Sequence, residues 1–331
     1  MYHVDNSTGV PVMPKPSPVT SKTVLFFTEG GNGVPPTYPG PDWFNAIQSE
    51  LLNILRAAGL DPDKMDNTQI LAALKKLFLS RSNPFGDIKA DGEAAIATAL
   101  ANLGLGDGTG RLINVQTFTA SGTYTPTTGT KFVIAEVLGG GGGGGSNAAT
   151  PSSGAAAGAG GASGSYAVCK HIPTGPVSVV IGAGGSGGVP APLGADGSTG
   201  GTTSFGAVSA PGGYGGPKGV AFNNFPTGGN VATGSAPVSG SVIVSSTGSS
   251  GSYGILYSDS NATGGGGGSS NYGAGGIAMT INAGGSGTQR GMDANGYGSG
   301  GGGAVSVHTS TAASSRGGNG APGIVIIWEY A

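Results

Sequence analysis

Charge is scarce in this sequence. Only 9% of the 331 residues are Asp, Glu, Lys or Arg, and the formal net charge is −2. With no basic stripe there is no electrostatic footprint for nucleic acid, which is not expected as a partner. Cysteine is nearly absent too, and a lone Cys169 excludes an internal disulfide framework. No apolar run approaches the ~18 residues of a membrane-spanning helix. Nor does the N-terminus pair a basic region with a long apolar core, so no signal peptide is expected and synthesis in the cytoplasm is the simplest route.

Catalytic sets are equally thin. Beyond residue 111 the only carboxylates are Glu136, Asp196, Asp259, Asp293 and Glu329. Glycoside hydrolysis needs two carboxyls at a defined separation. Here two sit in apolar strand-like runs and three stand isolated among glycines, so no catalytic residue is assigned. His171, His308 and Cys169 read as strand residues, with a solvent-facing histidine beside an inward cysteine. The glycine pattern at residues 182–188 lacks the following helix that a dinucleotide site requires. Neither a cofactor nor a metal is expected.

Glycine is what remains, with 71 residues unevenly spread. The first 111 residues contain only 12 of them but carry 20 of the 30 charged side chains. The chain therefore reads as an α+β multidomain protein: an extended arm over 1–40, a helical region over 41–111 and a glycine-rich β domain over 112–331. Prolines at 11, 14, 16, 18, 35, 36 and 39 keep the arm extended, with one short strand expected at Val24–Phe27. A helix is expected from an Asp42 N-cap, with Trp43, Phe44, Ile47, Leu51, Ile54 and Leu55 at helical spacing and Gly59 as the stop. A second begins at Asp66 with Gln69 in the capping-box position. A third, alanine-rich, spans Ala90–Leu103. None can cover its own apolar stripe at this size. A parallel homotrimer is expected, with Trp43, Phe44, Ile47, Leu51, Ile96 and Leu100 as interface candidates and Trp43 and Phe44 as core anchors.

In the glycine-rich part, strands are expected at 115–118, 122–125, 132–138, 166–172, 177–181, 241–244, 277–281 and 324–330, from β-branched and aromatic runs bounded by Gly and Pro. The tracts between them lack Cβ atoms, so their backbones can approach closely in a polyglycine-II-like geometry of three residues per turn. A β-sandwich with glycine loops is the alternative arrangement.

Two groups of motifs resemble known proteins. Asp42-Trp43-Phe44-Asn45-Ala46-Ile47-Gln48-Ser49-Glu50-Leu51, then Ala57-Ala58-Gly59 and Asp66-Asn67-Thr68-Gln69-Ile70, are similar to the N-terminal region of tail-fibre proteins of tailed phages and prophages. The Phe118–Thr125 segment, the strand running into poly-Gly, and Gly320–Ile326 are similar to the glycine-rich tip domain of such fibres. The resemblance implies a homotrimeric virion tail component, attached through its N-terminal region to a baseplate or tail-tip protein. Its distal domain would bind a bacterial surface receptor, whether polysaccharide, pilus or outer-membrane protein. No extended shaft is present, which implies a short fibre or tip protein. A tail-associated polysaccharide hydrolase and a passive structural fibre are the alternatives.

Receptor-binding candidates are the aromatics and amides that interrupt the glycines: Tyr214, Phe222, Asn223, Asn224, Phe225, Tyr253, Tyr257, Tyr272 and Tyr297. Such side chains on constrained loops supply stacking area and hydrogen bonds at low ordering cost. The Phe222–Phe225 run is expected to be exposed, since neighbouring strand residues cannot all face inward.

Overall fold

The computed structural model describes residues 2–78, 85–106, 109–151, 153–282, 287–307 and 313–331. His308 lies outside the described residues. The chain divides into two compact units, Met1–Asp107 and Gly108–Ala331.

In the first unit, helix α1 spans Pro41–Ala57 and α2 spans Gln69–Leu77. They pack through Leu52, Leu55, Ala58 and Ala73, with Ile54, Leu60 and Ile70 at the margin. The caps differ from expectation. Gly40 is the N-cap of α1, because Pro41 supplies the first helical residue. The Asp42 carboxylate instead accepts from the Ser17 N–H at 2.7 Å, tying the arm to the helix. Thr68 replaces Asp66 as the cap of α2, and the Gln69 amide turns back to the Asp61 carbonyl and the Asp63 N–H. The expected third helix at Ala90–Leu103 is α4, Glu93–Asn102, and Gly92, at φ 91, separates it from a short α3, Gly86–Ala90, that was not expected. Val24–Phe27 forms no strand; its side chains are exposed, with Phe27 edge-on to Trp43 at 5.4 Å.

The second unit begins with a β-sandwich. One sheet has the antiparallel order Leu112–Phe118, Ile324–Tyr330, Phe132–Leu138, Tyr166–His171, Val244–Ser246. The other pairs Gly122–Tyr124, Val177–Val180, Thr203–Phe205 and Val208–Ala210. Alternating inward residues fill the space between them: Val133, Ala135, Val137, Ala167, Cys169, Val325 and Ile327 against Tyr124, Val179, Phe205 and Val208. His171 shares the inward parity of Cys169 and meets Phe205 edge-on at 5.4 Å, so it is a sandwich-edge residue and not solvent-facing. Two expected strands shift or shrink, to Val244–Ser246 and Thr280–Ile281. Both borders are set by pairing partners elsewhere in the chain.

Glu329 occupies an inward position and is fully buried. It accepts from the Tyr124 hydroxyl at 2.7 Å, the Thr127 N–H at 3.0 Å and the Thr127 hydroxyl at 2.6 Å. Burial pushes this carboxyl up, but those donors outweigh it and hold it below its ordinary value.

Beyond the sandwich, glycine tracts form a bundle with three residues per turn. Residues 139–147 are its axis. Every third N–H along it meets the same neighbour: Gly139, Gly142 and Gly145 donate to Ser165, Ala162 and Ala159. Gly140, Gly143 and Ser146 donate to Gly201, Ser198 and Ala195, while Gly141, Gly144 and Asn147 donate to Ala321, Gly318 and Ser315. All three of these neighbours run antiparallel to the axis. Three parallel neighbours donate back: Gly213, Gly216 and Gly219 to one row of carbonyls, Gly185 and Gly188 to a second, Gly301 and Ala304 to a third. The axis thus has six neighbours, and each of its turns is tied to all of them. Close approach is what requires glycine here. A Cβ on Gly141 would lie 1.9 Å from the Ser299 oxygen, and one on Gly144 2.0 Å from that of Gly302. This is polyglycine-II geometry, and the sandwich is present as well.

Both anticipated arrangements therefore coexist, stacked along the tract direction. At the rise of ~3.1 Å per residue, the seven glycines from 139 to 145 span ~20 Å. Their far ends are closed by a second small core of Ala155, Ala157, Leu256, Ala262, Ile281, Val305 and Val307, with Phe225 and Met279 packed on it.

Candidate binding surface

The bundle has two ends. At the entry end lies the sandwich, where the chain enters at Leu112 and leaves at Tyr330. Loops and short strands make up the far end, where tracts turn round: 188–195 joins two of them, and 219–232 and 253–263 join others.

The nine receptor-binding candidates do not form one patch. Phe222, Asn223, Asn224, Tyr253 and Tyr257 lie exposed at the far end. Phe225 lies there too but packs against the small core, so the run is not uniformly exposed. Tyr214 sits midway along a tract on the bundle flank, its carbonyl accepting from Ala162. Tyr272 and Tyr297 are cross-strand partners at the entry end. The Tyr272 hydroxyl donates to Glu136, which also accepts from Tyr166 at 2.7 Å. Burial, then the carboxylate acceptor, pushes the Tyr166 phenol up to about 12, and the same causes raise Tyr272.

A cleft of about 440 Å³ opens beside the exposed far-end aromatics. It is lined by Val220, Phe222, Asp196, Lys218, Asn230 and Leu256, together with Ala157, Gly219, Gly228 and Gly229. Asp196 accepts from the Lys218 N–H at 2.8 Å, which fixes one wall. Reading the sequence singled out Phe222 but missed the other residues. Asp196 and Lys218 stand on different tracts, and only the three-residue register brings them together.

The interface candidates of the first unit are unevenly placed. Trp43 and Phe44 are 46% and 57% exposed, so they are not core anchors within one chain. Ile47 is exposed on the same helix and Leu51 half-buried. Ile96 and Leu100 line an apolar groove with Phe85, Ile88 and Leu103. Among the described residues, no group of three His, Cys, Asp or Glu side chains is placed to hold a metal, and no helix is long and apolar enough to cross a membrane.

The chain is 40% identical over 111 residues to tail fiber protein S of Escherichia phage Mu, covering 32% of this chain and 22% of that protein. It is 51% identical over 77 residues to a Mu-like prophage defective tail fiber protein of Haemophilus influenzae, covering 23% and 12%. A third relative, uncharacterized protein StfP of Escherichia coli, is 48% identical over 84 residues, covering 25% and 39%. The chain thus spans well under half the length of these relatives. The similarity to tail-fibre proteins anticipated from the Trp43 and Gln69 motifs is found. A family model of a glycine-rich domain matches residues 116–330, which include the sandwich, the tract bundle and its far-end loops, and by that match the chain belongs to the glycine-rich domain family.

Proposed function

We propose that this chain is a tail-fibre component of a tailed phage, with its glycine-rich domain presenting far-end loops to the bacterial surface. Similarity to two proteins named as tail fibers supports the virion assignment. The observation that carries the binding role is the bundle itself. Six neighbours around one axis make a stiff platform, and its far end concentrates exposed aromatic and amide side chains on short loops. Binding residues on loops held by a rigid scaffold are a recurrent solution in proteins. Glycine backbones offer little discrimination, so specificity falls to the side chains that interrupt them. The role requires no enzymatic step and no cofactor.

The first unit supplies attachment to the virion and assembly as a parallel homotrimer. Supporting this are the exposed Trp43, Phe44 and Ile47 on α1, and α4, whose ten residues include none that are buried. An isolated helix shorter than ~12–15 residues is marginal in water, so α4 gains from packing on other copies. Electron microscopy of phage decorated with antibody to the chain, together with binding of the labelled full-length protein to host cells, tests the proposal. Labelling at the tail with saturable cell binding is expected. Label elsewhere on the particle, or no binding to any susceptible host, refutes it.

A further inference from the structure

The far-end cleft has a property that most of the bundle lacks. In the tracts, glycine is required because a Cβ would strike a neighbouring backbone within about 1.9–2.4 Å. Gly228 and Gly229 are different. A Cβ on Gly229 would meet nothing closer than the Ala157 oxygen at 3.6 Å, and one on Gly228 only the Tyr253 ring at 3.4 Å. Neither has a positive φ. Among the described glycines of this unit, only 122, 175 and 266 share both features. Packing and backbone conformation thus leave these two lining positions unexplained, and a side chain on Gly229, whose nearest neighbour would be the lining residue Ala157, would take up cleft space.

The walls indicate what enters. Phe222 is 39% exposed and offers an aromatic face, while Val220 adds a small apolar one. Asp196, Lys218 and Asn230 supply acceptors and donors around them. Among the described residues, neither the second Asp196 oxygen nor the Lys218 ammonium has a protein partner. One cation beside one anion gives no net preference for a phosphate, and the polar rim does not suit a purely apolar peptide anchor. Hydroxyls that both donate and accept, on a ring whose C–H face stacks on an aromatic, satisfy all of these groups together. The cleft also falls within the ~300–1,000 Å³ range of small-ligand sites.

We infer that the cleft lined by Asp196, Lys218, Phe222 and Gly228–Gly229 is a saccharide site, holding one or two sugar rings of a surface polysaccharide. This deepens the proposed receptor role and rests on it for its biological meaning, though not for its chemistry. The test uses the full-length protein on an array of immobilised mono- to tetrasaccharides, with Gly229→Phe to fill the cleft, Phe222→Ala to remove the stacking face, and Asp196→Asn to keep shape while removing charge. Melting temperature and phage adsorption are measured beside it. The expected result is saccharide binding by the parent chain that falls about tenfold or more in Gly229→Phe and Phe222→Ala, with melting unchanged. Asp196→Asn should fall less than these two. Parent-chain binding that survives both cleft variants overturns the location. An absence of binding to every saccharide overturns the ligand class, and if adsorption still drops in Gly229→Phe the receptor role stands without it. Saccharide binding lost in the variants while adsorption is intact sustains the site and refutes the receptor role.

Discussion

Gly141→Ala is the sharpest test of the bundle, because it adds one methyl group at the axis. That carbon would lie 1.9 Å from the Ser299 oxygen and 2.2 Å from its carbonyl carbon. Cβ contacts below 3.0 Å are essentially never seen, so one of the two backbones must move by about 1 Å. Around the same turn, Gly140, Gly141 and Gly142 donate to three neighbours and accept from three others, most of these bonds at 2.8–3.0 Å. A shift of about 1 Å takes two or three of them beyond hydrogen-bonding reach. Each buried backbone group left unpaired costs about 1–3 kcal/mol, giving ~2–9 kcal/mol in all. For a domain of this size that lowers the melting temperature by roughly 4–36 °C. The control is Gly266→Ala. Position 266 lies in the unbroken glycine run 264–268 and from sequence looks equally intolerant, yet its Cβ would meet nothing closer than 3.6 Å. It should be neutral, or stabilising by ~0.4–1 kcal/mol through the unfolded chain. Thermal and urea melts of both purified variants decide the matter. A Gly141→Ala protein that melts like the parent, or a Gly266→Ala protein that is equally crippled, refutes the packing described.

Other outcomes follow from the same structure. Because Glu329 is held below its unfolded value of ~4.3, its contribution is complete above that pH and disappears as pH falls through the folded value. Melting curves from pH 7 to pH 3 should show Glu329→Gln less stable at neutral pH, with a flatter acid limb than the parent. Tyr272→Phe removes the hydroxyl that donates to Glu136 at the entry end. It should cost about 1 kcal/mol in urea melts and leave host adsorption unchanged. Leu100→Asp puts a charge into the apolar groove of α3 and α4, and should shift sedimentation from trimer towards monomer; an unaltered sedimentation profile would remove Leu100 from the interface.

Much of the architecture was legible because its signals are local. The Val/Ile-rich runs at 132–138 and 324–330 declare themselves as strands, and they pair with each other across nearly the whole domain. Poly-Gly at 139–145 suggests close backbone packing for the same reason that it admits no side chain. What the sequence conceals is register. Nothing in the run 139–147 says which of six neighbours each N–H will find, so Asp196 and Lys218 could not be placed on one wall. Exposure was hidden for the same reason, and Tyr272 and Phe222 look alike on the page while occupying opposite ends of the bundle. Capping failed for a more local cause: with Pro41 as the first helical residue, Gly40 took the cap role read into Asp42, and Thr68 took that read into Asp66.

The central claim is that the far end of the bundle, and not its entry end, meets the host. The direct measurement is competition: purified full-length chain is added to host cells before phage, and the adsorption rate is recorded. Parent protein and Tyr272→Phe should block adsorption equally. A Phe222→Ala, Asn224→Ala, Tyr257→Ala triple variant with an unchanged melting temperature should fail to block. If the triple variant competes as well as the parent while Tyr272→Phe does not, the contact surface lies at the entry end and the account is contradicted.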